Sequence, residues 1–215
     1  MDLFQNLPEG FRLVKDEFDH KLASLTVTQA FADYAYPVPS TEISHSAYMK
    51  FYYHLAELWI SNAEKVGTVL TNDDYSAVMV LTPADKSAVI SEDLIREQLG
   101  SCAGPEAVES ALQIMNYIYL AEEDLSFREN TVYIEAFAVQ TARQGQKLGS
   151  KLMRKLFEAC DAQGRDLLLF TNTERNVSIY KHFGFDVIKH TAVEELNSFT
   201  DFMLRRCQDP GEKTE

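Results

Sequence analysis

The chain has 215 residues, of which 46% are hydrophobic and 25% charged, and its formal net charge is −13 at pH 7. This length and composition are typical of one large globular domain or two small ones. Such a negative charge argues against a nucleic-acid-binding protein, which needs a basic face for phosphate, and it suits either a cationic partner or simply solubility.

We expect neither a membrane span nor a secretory signal. The sequence has no long uncharged apolar run, and its N-terminus lacks a basic segment followed by an apolar one. Three widely separated cysteines, Cys102, Cys160 and Cys207, fit a reducing compartment and are interpreted as small apolar residues. The five histidines show no metal-ligand spacing, so we expect a cytoplasmic protein without a metal.

The first half of the sequence alternates between helical and strand-like patterns. Periodicity and turn residues predict a strand at 11–14, helices at 16–34 and 44–62, and strands at 66–70 and 75–81. In the first helix, the apolar residues at helical spacing are Phe18, Leu22, Leu25 and Ala30. The last two strands are joined by the turn TNDD, which indicates a β-hairpin.

The second half predicts a βαβ unit. Its elements are helices at 91–99, 105–120, 147–160 and 176–183 and strands at 131–139, 166–170, 185–188 and 202–205. Strands 131–139 and 166–170, joined by a helix, should pair in parallel. We therefore expect one α/β domain over 1–206, with a helical insert at about 91–128 and a flexible tail at 207–215. Its sheet should be mixed, largely antiparallel, of about seven strands, and flanked by helices.

A basic glycine turn, ARQGQKLGSKL, follows the strand at 131–139. The segment 141–157 contains five basic residues and no acidic one. Because a helix start has unpaired N–H groups and a positive dipole end, we predict that the turn binds phosphate, although some of these charges must simply face solvent. Two nucleotide motifs do not fit. The glycine after Gly145 comes four residues later, against GxGxxG, and Gly149 is followed by Ser-Lys, against the P-loop.

Two segments resemble the GNAT family of N-acetyltransferases. FAVQTARQGQKLGSKL at 137–152 is similar to the coenzyme A loop of that family, with Lys147 in place of a frequent glycine. The matching loop residues are Gln144, Gly145, Leu148 and Gly149. IYKHFGF at 179–185 resembles the closing motif of the family, so the resemblance extends over about 132–188. ERNVSIY at 174–180 is similar to the branch with puromycin-type antibiotic acetyltransferases.

The resemblance implies a GNAT-like fold whose parallel central strands splay apart, and acetyl-CoA as the co-substrate. Backbone groups at the strand end would contact the pantetheine arm, and the turn would contact the pyrophosphate. The implied coenzyme contacts are Phe137, Ala138, Val139, Gln144, Gly145, Gln146, Lys147, Leu148, Gly149, Ser150, Asn172 and Asn176. The last two residues could instead cap a helix or belong to a turn.

The resemblance also implies an acid and a base for direct transfer of acetyl to an amine. Tyr180 occupies the tyrosine position of the family and would protonate the leaving thiolate, unless it is only an aromatic core residue. Glu135 interrupts an apolar strand, where a carboxylate is costly unless it is paired or functional. It would accept the amine proton through water, or else pair with a cation.

The acceptor is predicted to be a small, cationic primary amine, bound by a monomer or homodimer. We expect it to contact the N-terminal helices, the 91–128 insert and the loop at 193–200, including Glu194 and Glu195. The tyrosines that could line its site are Tyr34, Tyr36, Tyr48, Tyr52 and Tyr53, although such residues are more often at the edge of a core. Two alternatives stay open: an acetyltransferase for peptide N-termini or protein lysines, and a non-enzymatic acyl-CoA-binding module on the same fold.

Overall fold

A computed structural model describes residues 3–4, 7, 9–31, 45–87, 91–101, 125–193 and 198–208, and several positions between 105 and 122. Within that part of the chain, no helix is both long and apolar enough to cross a membrane.

The described strands form one seven-stranded sheet in the order β1-β2-β3-β4-β5-β7-β6. They are β1 Phe11–Leu13, β2 Thr68–Asn72, β3 Ala77–Pro83, β4 Val132–Val139, β5 Leu167–Thr171, β6 Asp186–Val193 and β7 Ser198–Arg205. The central pair β4–β5 is parallel, and the other neighbouring pairs are antiparallel. The predicted fold class is confirmed, including the early hairpin β2–β3 and the βαβ unit.

Within the part of the chain that the structure describes, five α-helices with defined bounds accompany this sheet: α1 Glu17–Phe31, α2 His45–Val66, α3 Glu92–Gly100, α4 Leu148–Ala162 and α5 Glu174–His182. The described residues between 105 and 116 are helical as predicted, and the rest of that predicted helix lies outside the described residues. Helix α4 buries the stripe Leu152, Met153, Leu156 and Cys160, which is the spacing of one helix face. Helix α5 is followed by Gly184 with φ 84°, a left-handed conformation that glycine adopts without steric cost.

Both faces of the sheet are buried. On β3, Val78 and Val80 belong to a first core with α1 and α2, while Met79 and Leu81 belong to a second core with α4. All four side chains are fully buried. Alternate residues of a strand point to opposite faces, so this central strand is apolar along its length.

Helix α1 is confirmed, but its apolar spacing does not mark its buried face. Phe18 is 67% exposed and Leu25 is 44% exposed. The buried side chains are Asp19, Ala23, Ser24, Thr26, Val27 and Thr28. Asp19 explains this orientation, because its carboxylate accepts two bonds from the Arg12 guanidinium and one from the Tyr75 hydroxyl. The buried face of the helix is therefore partly polar, and its carboxylate is satisfied by an ion pair with Arg12.

The last two strands are longer than predicted and form a hairpin. Val193 ends β6, and Ser198 through Thr200 begin β7, so the described part of the predicted acceptor loop is strand. Glu194 and Glu195 lie outside the described residues. Exposed and half-buried residues alternate along β6, which lies at the edge of the sheet. Its polar sequence therefore gave no clear strand pattern.

The described start of the predicted flexible tail is bound to the domain. The backbone N–H of Cys207 donates to Asp166 and that of Gln208 donates to Asp161, each at 2.9 Å. Residues 209–215 lie outside the described residues.

Candidate active site

A gap opens between the two parallel central strands. Strands β4 and β5 are paired at Val132–Leu167 and Tyr133–Leu168, and the ladder ends there although both strands continue. Beyond Tyr133, β4 remains paired with β3 as far as Val139. The predicted splay is therefore present, and beyond Tyr133 the side of β4 that faces away from β3 is not paired with β5.

Glu135 is the extra residue of a β-bulge in β4. Val80 of β3 pairs with Ala136, but the next residue, Leu81, pairs with Ile134. Two steps along β4 thus oppose one step along β3, which is the definition of a bulge. The bulge begins two residues after β4 has parted from β5, so Glu135 lies beside the gap.

The Glu135 carboxylate is buried and hydrogen-bonded. Glu135 is 9% exposed, and its Oε1 accepts a bond from the Thr82 hydroxyl at 2.8 Å. Thr82 is fully buried on β3. The sequence did not indicate a role for Thr82. Its partner lies on another strand, 53 residues away, and no local pattern predicts that contact.

The glycine turn has two residues in the left-handed conformation, separated by Gln146. Gly145 has φ 78° and Lys147 has φ 62°. Lys147 is the N-cap of α4, and its side chain makes no capping hydrogen bond. The backbone at position 147 thus adopts a conformation that glycine takes without strain, and a lysine is held there at some cost in strain. The N–H groups of the first turn of α4 have no partner within the helix and are available to an anion.

Close packing holds the turn against the end of β4. A Cβ atom added to Gly149 would stand 3.1 Å from Cζ of Phe137 and 3.6 Å from Cγ2 of Val139. The Gln144 amide also donates to the Val139 carbonyl at 3.3 Å. These contacts bring together the strand end and the turn, as the resemblance implied.

The positive charges of the turn are partly engaged within the chain. The Arg143 guanidinium donates to Asp74 at 2.6 Å, and the Lys151 ammonium donates to the Glu9 carbonyl at 2.8 Å. Asp74 lies in the β2–β3 turn, so this ion pair fixes the loop before Gly145 to the neighbouring hairpin. Lys147 is exposed at the centre of the turn.

The end of β5 presents a buried amide oxygen. Oδ1 of Asn172 is inaccessible to solvent and has no hydrogen-bond partner among the described residues. Such atoms are rare in folded proteins and are commonly satisfied by a ligand or water. Asn176 does not cap α5. Its backbone N–H instead donates to Oγ1 of Thr173, which is the N-cap, and the three-residue spacing could have predicted this.

Tyr180 lies on α5, half-buried against the second core. Its ring centroid is 5.7 Å from that of Phe185, with the planes at 64°. Ser178 and His182 are exposed on the same helix. The acid role of Tyr180 remains a prediction.

The predicted acceptor tyrosines occupy different environments. Tyr52 is fully buried in the first core, whereas Tyr53 is half-buried beside Glu57. Burial and that carboxylate raise the pKa of Tyr53. Tyr34, Tyr36 and the side chain of Tyr48 lie outside the described residues.

A separate cavity of about 810 Å³ lies between α1, the end of α2 and strands β1–β2. It includes none of the predicted site residues. At its wall His20 contacts Glu57 and Glu64 at 3.3 and 3.1 Å. Among the described residues, no group of three His, Cys, Asp or Glu side chains is arranged to hold a metal ion.

Residues 107–187 match the family model described as an acetyltransferase (GNAT) domain. The matched segment includes β4, the glycine turn, α4, β5 and α5. No curated protein sequence matches the chain significantly. The family match confirms the resemblance drawn from the two sequence motifs.

Solved structures share the fold. A structure from Corynebacterium glutamicum, described as histone acetyltransferase HPA2 and related acetyltransferase, has a TM-score of 0.61 at 15% identity, covering 94% of this chain and 98% of the other. A protein assigned to the GNAT acetyltransferases from Desulfovibrio desulfuricans has a TM-score of 0.55 at 12% identity, covering 92% and 98%. The C-terminal condensation domain of Ebony, solved with beta-alanyl-dopamine, has a TM-score of 0.57 at 5% identity, covering 91% and 98%. At these identities the likeness concerns the fold.

Proposed function

We propose, on the premise that the chain is an acyltransferase with a GNAT domain, that it transfers acetyl from acetyl-CoA to a primary amine of a small molecule. The observation that carries the proposal is the gap between β4 and β5, with the Glu135 carboxylate beside it and the glycine turn and helix start of α4 at the end of β4. This combination offers a place for a thioester, a base and a phosphate site at one end of the central strand pair.

The residues around this gap fit coenzyme A. The N–H groups at the start of α4 suit the pyrophosphate, and the exposed Lys147 adds positive charge. The unsatisfied Oδ1 of Asn172 suits an amide N–H of the pantetheine arm. In the segment 137–139 the backbone groups of alternate residues face the open side of β4, and they would supply an N–H donor for the thioester carbonyl.

The transfer is a direct displacement in which the amine nitrogen bonds to the acetyl carbon. Glu135 takes a proton from the attacking amine, directly or through water, and becomes a carboxylic acid. The carbon–sulfur bond breaks, and Tyr180 gives its hydroxyl proton to the thiolate, which leaves as the coenzyme thiol. Exchange with solvent then returns the proton to Tyr180 and removes it from Glu135, so the enzyme is restored.

The acidic character of the chain favours a cationic acceptor. The net charge of −13 creates a potential that attracts ammonium groups, while the local basic turn retains affinity for phosphate. The cytoplasmic location, the monomeric or homodimeric state and the puromycin-type branch remain predictions.

A thermal-shift titration tests the donor site. Acetyl-CoA at about 100 times its dissociation constant should stabilise the protein by about 2.7 kcal/mol, which raises Tm by roughly 5–10 °C for a chain of this size. ATP at equal concentration serves as the control, because it offers phosphates without the pantetheine arm. Stabilisation by ATP alone would contradict the proposal.

A panel of acceptors tests the reaction. Release of free thiol from acetyl-CoA should require an amine and should be fastest with one of the small amines: tyramine, benzylamine, polyamines or aminoglycosides. Peptides with a free N-terminus or a lysine form the second arm. Turnover of the peptides alone would assign the protein to the alternative class of protein acetyltransferases.

A further inference from the structure

We propose that Thr82 is a positioning residue that holds the Glu135 carboxylate in the orientation in which it accepts the amine proton. The inference rests on the proposed function, in which Glu135 is the base. Its direct support is the 2.8 Å hydrogen bond from Oγ1 of Thr82 to Oε1 of Glu135, made within the buried sheet.

The bulge explains why Glu135 needs such a partner. The extra residue of a bulge leaves the regular ladder, so strand pairing does not fix it as it fixes its neighbours. Thr82 is not subject to this freedom, because it lies in the regular part of β3, opposite Tyr133. Tyr133 is also the last β4 residue paired with β5. Thr82 thus connects the carboxylate of the bulge to the regularly paired part of the sheet, next to the point where β4 and β5 separate.

The chemistry is compatible with a base. A carboxylate has about four lone-pair sites, so a hydrogen bond from a hydroxyl does not prevent it from accepting a proton. A hydrogen bond to a charged group is stronger than one between neutral groups, and at a fully buried position it restricts the carboxylate to few rotamers. Positioning of this kind affects the rate of proton transfer more than the binding of the thioester.

Four proteins test the inference: wild type, Thr82→Val, Glu135→Gln and the double variant. Valine has nearly the shape of threonine and carries a methyl group in place of the hydroxyl. With acetyl-CoA and the fastest of tyramine, benzylamine and a short peptide, we expect Thr82→Val to lower kcat by roughly tenfold. The KM for acetyl-CoA should stay within about twofold, because Thr82 does not contact the coenzyme site. Thr82→Ser should restore most of the rate.

The decisive comparison is between the two backgrounds. If Thr82 acts through Glu135, adding Thr82→Val to Glu135→Gln should change kcat by less than about twofold. The same tenfold loss in both backgrounds, or a wild-type rate in Thr82→Val, would overturn the inference. The wild-type turnover itself reports on the proposed function, so the two failures are distinguishable.

Thr131→Val is the matched control. Thr131 is fully buried beside the start of β4, and its hydroxyl has no hydrogen-bond partner among the described residues. The same substitution there removes a hydroxyl from the same region of the sheet without touching Glu135, so kcat should be unchanged. An equal loss of kcat in Thr131→Val would show that Thr82→Val acts through general packing and would overturn the inference.

Discussion

Gly149 of α4 lies against the ring of Phe137 at the end of β4, so that a Cβ atom at position 149 would stand 3.1 Å from Cζ. Such a distance would be shorter than an ordinary van der Waals contact, so the ring of Phe137 would have to tilt away slightly. The close approach keeps the glycine turn at the end of β4, so a substitution at position 149 can change ligand binding without changing the stability of the fold.

Gly149→Ala should leave stability nearly unchanged and weaken the coenzyme site. Alanine gains about 0.5–1 kcal/mol of helix propensity, which offsets the displacement of the ring. The displaced ring of Phe137 intrudes at the gap, so the KM for acetyl-CoA should rise roughly threefold to tenfold. Thermal denaturation and steady-state kinetics measure the two effects.

The control for this variant is Gly100→Ala at the end of α3. A Cβ atom there would meet Cγ2 of Val108 at 3.9 Å, an ordinary contact. It should leave the KM unchanged and raise the free energy of unfolding by at most about 1 kcal/mol, because alanine gains helix propensity there and displaces no side chain. An unchanged KM in Gly149→Ala would show that the contact with Phe137 does not shape the coenzyme site.

Lys147→Gly should relieve strain and reduce coenzyme affinity together. At φ 62° a lysine pays roughly 1–2 kcal/mol that glycine avoids, although glycine also loses more chain entropy on folding. We expect the free energy of unfolding to rise by at most about 1 kcal/mol. Removal of one positive charge should weaken acetyl-CoA binding several-fold at low salt and less at high salt.

Lys147→Ala separates the two effects. It removes the same charge but keeps a side chain in the left-handed conformation, so affinity should fall equally while stability does not rise. Equal affinity of wild type and Lys147→Gly in a low-salt calorimetric titration would exclude a role of this charge in phosphate binding.

Asp166 predicts a specific loss of stability in acid. Burial opposes its ionisation, but bonds from Arg128, the Cys207 N–H and Arg206 outweigh it and lower the pKa of Asp166 to about 2. Because the folded value is below the unfolded one, its contribution is fully present above pH of about 4 and is lost as the pH falls toward 2. The arginines are half-exposed, so we estimate about 1–2 kcal/mol.

Urea unfolding between pH 5 and 2, with Asp166→Asn beside wild type, measures this contribution. The variant should be less stable at pH 5 and should lose less on acidification. Asp73→Asn, at an exposed position in the β2–β3 turn, should follow wild type. Parallel curves for Asp166→Asn and wild type would contradict the assignment.

The sequence predicted the parts of the fold that depend on local pattern. The unit β4–α4–β5 was evident because a buried strand, a glycine turn and an amphipathic stripe follow one another directly. The sequence did not predict which face of α1 is buried. Asp19 lies on that face because it is satisfied by Arg12 and Tyr75, which no local pattern reveals. The length of β6 was underestimated because a strand at the sheet edge has a polar sequence.

The candidate site shows the same division. The turn was evident from its glycines and the helix start, and Glu135 was noticed as a carboxylate in an apolar strand. The left-handed conformation of Lys147 was not predicted. The bulge that sets Glu135 apart depends on the register with β3, and its bond to Thr82 depends on that register in turn. Long-range pairing of this kind becomes visible only in three dimensions.

Comparison of kcat in Glu135→Gln and Tyr180→Phe with wild type, with acetyl-CoA and the fastest amine acceptor, tests the central claim most directly. Each residue should be needed after the coenzyme has bound, so the acetyl-CoA thermal shift should persist while kcat falls by roughly 100-fold in Glu135→Gln and 10- to 100-fold in Tyr180→Phe. Wild-type kcat in both variants would contradict the account. It would leave a protein that binds acetyl-CoA at the turn but does not use these two residues for acetyl transfer.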